Sequence, residues 1–185
     1  MESFDACLVD EAGYIVAARQ VSSPNQDARP LGTKITLLVI HGISLPPGTF
    51  GGREVEALFC NTLDHSRHPY FGQLVGLQVS AHFLIRRNGE LVQFVSCEQR
   101  AWHAGESIWK GRERCNDYSI GIELEGVDDR HYEPAQYRCL ARLTLGLQAR
   151  YPIGDIVAHA DIAPGRKTDP GQSFDWAVFR SLLKS

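Results

Sequence analysis

Proline and glycine punctuate this chain so densely that few of its segments can be long and regular. SLPPGTFGG over 44–52, the stretch 69–76 and APGRKTDPGQS over 163–173 interrupt it most heavily. Proline has no N–H to donate and fixes φ, and glycine weakens the interior of any helix or strand. Short buried segments must therefore alternate with long loops, the kind that carry binding and catalytic residues. TLLVIH (36–41) is a continuous β-branched and apolar run suited to a buried central strand. QVSAHFLIR (78–86) alternates, with Val79, Ala81, Phe83 and Ile85 on one face and Ser80, His82 and Leu84 on the other. Asn88-Gly89 then predicts a type I′ turn, with LVQFVS (91–96) returning as the hairpin partner. SIGIELEG (119–126) places Ile120, Ile122 and Leu124 on one face and Ser119, Gly121 and Glu123 on the other, and DIVAHA (155–160) reads as a further strand. Residues 134–150 open with Pro134 and repeat Tyr137, Leu140, Leu143 and Leu147 at helical spacing. A weaker helix is expected over 53–61, and Asp175 is an N-cap for a C-terminal helix carrying Trp176, Phe179, Leu182 and Leu183. The pattern is α/β (α+β): a central mixed β-sheet flanked by helices, expected as a single domain over 1–185.

A length of 185 residues with 43% hydrophobic and 22% charged content is that of an ordinary globular domain, which excludes disordered and fibrous classes. The formal net charge of -3 provides no bulk attraction to nucleic acid or an anionic membrane. No apolar run approaches the roughly 18 residues a spanning helix requires. The opening MESFDACLVDEAGYIV is acidic and lacks a basic segment followed by a long apolar one, so no secretory signal is expected. Cys7, Cys60, Cys97, Cys115 and Cys139 are odd in number and include no CxxC pair. They read as small buried apolar residues, and unpaired thiols point to a reducing cytoplasm.

Four polar residues stand where an apolar pattern would not put them: His41 closing a strand, Glu123 among apolar neighbours, His159 after IVA, and Asp169 in a Pro/Gly loop. Two imidazoles and a carboxylate form a mixed set that suits Zn²⁺ and leaves a fourth position open. Spacing does not choose the carboxylate. Asp161, two residues after His159, would face the same side of an extended chain, whereas Asp169 needs its loop to fold back. Lys167 and Asp169 share an i, i+2 relation that in an extended loop aims an ammonium and a carboxylate at one point. His65, His68 and His131 sit in polar contexts and read as solvated. His82 and His103 read equally well as cleft-lining or as structural hydrogen-bonding groups. Trp109 and Trp176 read as packing residues.

HGISLPPGTFGG (41–52), HPYF (68–71), VSAHFLIRRNGELVQFV (79–95), RAWHAG (100–105), GRERCNDYSIGIELEG (111–126) and HADIAPGRKTDPGQSFDW (159–176) together resemble the zinc N-acetylmuramoyl-L-alanine amidases. Within them the likeness is to the cytosolic branch acting on 1,6-anhydromuropeptides. The motifs run in order from about Ser23 to Trp176, which the resemblance marks as the catalytic core. It implies the fold shared with phage T7 lysozyme and the peptidoglycan recognition proteins. It also implies His41, His159 and Asp169 as zinc ligands, Glu123 as general base and Lys167 as the cationic partner at the zinc. Tyr70, Trp102 and Arg114 match substrate-contacting positions: aromatic walls for the anhydromuramyl sugar and a guanidinium for stem-peptide carboxylates. Two residues depart from the pattern. Gly42 stands where relatives often carry Asn, and Gln78 where some carry a peptide-binding Arg, which exchanges a charge-assisted hydrogen bond for a neutral one.

The implied activity is hydrolysis of the amide between the muramyl lactyl group and L-alanine in small anhydromuropeptides during cell-wall recycling, which would indirectly restrain β-lactamase induction. Zinc would polarise the carbonyl and activate water, Glu123 would move the proton, and Lys167 would stabilise the oxyanion. A monomer in the cytoplasm is expected, with no nucleic-acid or membrane partner. A lytic amidase on polymeric peptidoglycan would share this chemistry but calls for export and wall-anchoring segments. A non-catalytic muropeptide-binding module would be expected to lack a ligand, whereas all three matched ligands and Glu123 are present.

Overall fold

The computed structural model describes residues 7–184; the first six residues of the acidic opening stretch lie outside the described residues. In chain order, β1 (Arg19–Gln20), β2 (Gln26–Ala28) and β3 (Leu37–Ile43) precede the short helix α1 (Glu54–Phe59). Next come β4 (Phe83–Ile85), β5 (Leu91–Gln93), β6 (Gln99–Ala101), β7 (Ile108–Trp109), β8 (Arg112–Glu113) and β9 (Ser119–Glu125). Helix α2 (Pro134–Arg150), β10 (Asp155–Ala158), α3 (His159–Ile162) and α4 (Trp176–Leu182) complete the set. Six strands form one mixed sheet in the order β1-β5-β4-β9-β3-β10. β4, β9, β3 and β10 run parallel, while the β4–β5 hairpin supplies the antiparallel pair.

The period of two decides which face each residue serves. Leu38 and Ile40 of β3, Ile120, Ile122 and Leu124 of β9, and Phe83 and Ile85 of β4 pack with Leu140, Leu143 and Leu147 of α2. The alternate residues Leu37 and Val39 face the other way, against Cys115, Tyr118 and Ile162. Further along the same face, Leu84 and Val92 meet Phe59, Phe71 and Phe94. At about 1.5–3 kcal/mol per large side chain, these two layers fix the sheet's register. One continuation of the second face carries His41 and Glu123, so the alternation that builds the core also delivers the polar residues.

Helix α2 spans the expected range, with Glu133 N–H donating to Gln136 Oε1 at 2.9 Å at its start. Asp175 caps α4 by accepting from the N–H groups of Ala177 and Val178 at 2.9 and 3.0 Å. Three local expectations are corrected. Strand β4 begins only at Phe83, because Ser80 N–H turns to the Trp102 carbonyl at 3.1 Å, and Val79 and Ala81 pack with Leu84 rather than with Phe83. At Asn88-Gly89 only the glycine has positive φ, at +88°. Gly89 N–H donates to the Arg86 carbonyl (2.8 Å) and Arg86 N–H to the Glu90 carbonyl (3.0 Å), so the hairpin closes by a three-residue loop, not a type I′ turn. The strand through 155–160 stops at Ala158. His159 begins a helical turn, and the Asp161 side chain accepts from Ala158 N–H at 2.8 Å.

Candidate metal centre and cleft

Strands β3, β9 and β10 end together on one side of the sheet. His41 on β3 lies directly opposite Glu123 on β9, and His159 follows β10, which pairs with β3. The loop carrying Asp169 returns to this point, where Ala160 N–H donates to the Asp169 carbonyl at 3.1 Å. His41 Nδ1 and His159 Nδ1 are 2.9 Å apart, and the Asp169 Oδ2 lies 3.3 and 3.1 Å from them. Ligands about 2.0–2.2 Å from a tetrahedral zinc would themselves lie roughly 3.3–3.5 Å apart, so the two imidazoles and the carboxylate need to part by only a few tenths of an ångström to take the ion. Among the described residues these three form a group able to hold a metal. Asp161 is not part of it, since its carboxylate is turned to the start of α3.

Glu123 sits beside the group, with Oε1 4.0 Å from His41 Nδ1, and its buried Oε2 has no hydrogen-bond partner. Burial first, and then the Asp169 carboxylate, push the Glu123 carboxyl well above its ordinary range, opposed by the Lys167 ammonium. A divalent cation held between the two histidines and Asp169 would act in the same direction as Lys167. Burial pushes the His41 imidazole down to about 4. Burial alone would raise Asp169, but hydrogen bonds to His159 and His41 outweigh it and hold the carboxyl well below the usual carboxylate range.

The cluster lines a cavity of about 760 Å³. Lys167, Tyr70, Gln78 and Trp102 all line it. Near Trp102, the two carboxylate oxygens of Asp27 each accept from Arg100 at 2.6 Å. Arg114 is placed elsewhere. It has φ +58°, points its Nε toward Asp117 Oδ2 at 3.3 Å, and lines an adjoining concavity of about 690 Å³. Arg166 borders both spaces. His68 and His131 face solvent as their contexts imply, whereas His65, expected to be solvated, is half-buried and meets the Phe71 carbonyl at 2.9 Å. His82 is fully buried and accepts from Gly121 N–H at Nδ1, a structural role.

Sequence reading missed the side chain that explains Gly42. A Cβ at 42 would collide with the Tyr132 hydroxyl, and one at Gly126 with the Tyr132 ring. That hydroxyl donates to the Pro170 carbonyl at 2.9 Å, tying the Asp169 loop to the segment that leads into α2. No local motif marks Tyr132 for this task.

Comparison with known proteins accords with this geometry. The N-acetylmuramoyl-L-alanine amidase family model matches residues 31–172. The chain belongs to this amidase family. A relative named 1,6-anhydro-N-acetylmuramyl-L-alanine amidase AmpD, from Citrobacter freundii, is 56% identical over 178 residues and covers 95% of each chain. A crystal structure of a selenomethionine AmpD derivative superposes on this amidase with a TM-score of 0.93 at 56% identity, covering 95% of this chain and 99% of the other. An Escherichia coli amidase, AmiD, solved with the substrate anhydro-N-acetylmuramic acid-L-Ala-D-γ-Glu-L-Lys, aligns with TM-score 0.59 and 34% identity over 95% of this chain and 65% of that one. The expected likeness to peptidoglycan recognition proteins is present in the fold: PGRP-SA of Apis mellifera gives a TM-score of 0.57 at 13% identity over 83% and 89% of the two chains. As an amidase of this family, the protein is a hydrolase.

Proposed function

We propose that this amidase cuts the bond between the lactyl group of 1,6-anhydro-N-acetylmuramic acid and L-alanine in small anhydromuropeptides. This places it in cell-wall recycling and gives it an indirect restraint on β-lactamase induction. The observation that carries the reading is the convergence of His41 Nδ1, His159 Nδ1 and Asp169 Oδ2 beside a buried, unpartnered Glu123 oxygen. The names of the similar AmpD proteins and the substrate in the AmiD complex support the choice of substrate. His41, His159 and Asp169 would hold zinc, which supplies Lewis acidity and a water of lowered pKa.

The chain's own residues do the rest. Glu123, a carboxylate made more basic by burial, takes the proton of the attacking water at Oε2 and returns it to the departing alanine nitrogen. Lys167 places its ammonium against the negative charge developing on the carbonyl oxygen. Tyr70 and Trp102 wall the sugar, Gln78 donates a neutral hydrogen bond to the stem peptide, and Arg114 takes a carboxylate at its distal end. A single-domain monomer acting in the cytoplasm fits a soluble substrate, and five free thiols suit that compartment.

The test is mass-spectrometric release of peptide from anhydromuramyl tri- and tetrapeptides and from intact sacculi, with metal quantified in each sample. Chelation should abolish turnover and zinc restore it, and soluble substrates should be preferred over sacculi. Glu123→Gln should retain zinc and lose about 10²–10⁴ in kcat. Full activity in metal-free protein overturns the mechanism, and preference for sacculi points instead to a lytic amidase.

A further inference from the structure

The ligand assignment above, on which this inference rests, uses Nδ1 of both histidines. A neutral imidazole has one lone pair and one N–H, so each ligand must then carry its proton on Nε2. Both Nε2 atoms are buried and need acceptors. His41 Nε2 lies 2.9 Å from His103 Nδ1, and His159 Nε2 lies 3.4 Å from the Ala104 carbonyl. Two consecutive residues thus face both outer nitrogens.

This pair is held from several sides. His103 Nε2 lies 3.0 Å from Ser119 Oγ, a hydroxyl able to accept. An N–H at that nitrogen leaves His103 Nδ1 free to accept from His41. The backbone N–H groups of His103 and Ala104 both donate to Asn116 Oδ1, at 3.1 and 2.8 Å. Arg166 Nη2 donates to the Ala104 carbonyl at 2.8 Å. Beneath the ring is Gly121, where any Cβ would strike His103.

We propose that His103 and Ala104 set the tautomers of both histidine ligands, with His103 the positioning residue for His41 and Ser119 accepting the Nε2 proton of His103. The hydrogen-bond chain runs Nε2–H of His41 to His103, then Nε2–H of His103 to Ser119. It aims the His41 lone pair at the metal before the metal arrives and raises its basicity as a ligand.

Zinc affinity by chelator competition tests this without reference to turnover. His103→Ala should weaken zinc binding by about 10–100-fold. His103→Asn, whose carbonyl oxygen can stand where Nδ1 stood, should recover most of that loss. His103→Gln, which reaches Ser119 but not His41, should not. Unchanged affinity in His103→Ala, or equal losses in the alanine and asparagine variants, overturns the proposal. Long-range ¹H–¹⁵N spectra of the zinc-loaded wild type need no variant. Protons on Nε2 of both His41 and His103 are expected, and a His103 proton on Nδ1 overturns the relay. A wild type that binds no zinc would overturn the ligand assignment itself, a result distinct from zinc binding that His103→Ala leaves unmoved.

Discussion

Gly42 follows His41, and its lack of a side chain is legible in the sequence, but its reason lies in Tyr132, whose hydroxyl fills the space and holds the Pro170 carbonyl. Asparagine at 42 has to expel the Tyr132 hydroxyl from that contact. Gly42→Asn should therefore cost about 1–3 kcal/mol of stability, read as a lowered thermal midpoint in metal-free protein. An unchanged midpoint would mean the tyrosine moves without cost. The four polar residues that broke the apolar pattern were the readable part of the site. The carboxylate was not readable from spacing, because that argument assumed an extended chain after His159. The backbone instead turns helical there and uses Asp161 to cap its own first turn.

Elements were legible where one local signal sufficed. The apolar run of β3, the 3.6-residue stripe of α2 and the aspartate cap of α4 each specify their segment without outside help. Residues 78–82 were not legible, because long-range partners, the Trp102 carbonyl for the Ser80 N–H and the Gly121 N–H for the His82 side chain, draw that segment off the ladder. Helix α2 offers a contrast within two adjacent residues. Leu143 is wholly buried against the sheet, and Thr144 next to it is wholly buried with a hydroxyl that has no partner. Leu143→Ala should cost about 2–5 kcal/mol through the cavity it leaves. Thr144→Val, which removes the unsatisfied hydroxyl and keeps the shape, should be neutral or stabilising. Urea denaturation of the two variants checks both signs, and a large loss for valine would reveal a partner for that hydroxyl.

Across the whole molecule, buried neutral imidazoles make the metal-free fold sensitive to acid. Burial holds His82 well below its ordinary range, with the Arg29 guanidinium adding to the shift, and burial lowers His41 to about 4. In the unfolded chain both titrate near 6.5. The unfolded state therefore binds more protons below that pH, so the stability from keeping these rings neutral is complete above about 6.5 and is lost as pH falls toward the folded values. Each excluded proton is worth on the order of 1 kcal/mol per pH unit in that window. Urea midpoints of metal-free protein should fall steeply between pH 6.5 and 5, and less steeply for His82→Gln. Equal slopes would show that His82 takes up its proton without unfolding.

The contact between His41 and His159 bridges 118 positions of chain, and the third member of the group comes ten residues later still. On a ribosome, the first imidazole emerges long before the other two donors exist outside the tunnel. Of the three donors a nascent chain therefore has only His41 until synthesis has passed His159, and it has the full set only once synthesis has passed Asp169. The group able to hold a metal is therefore complete only late in synthesis, and a chain cut short anywhere before that aspartate holds an incomplete set of donors.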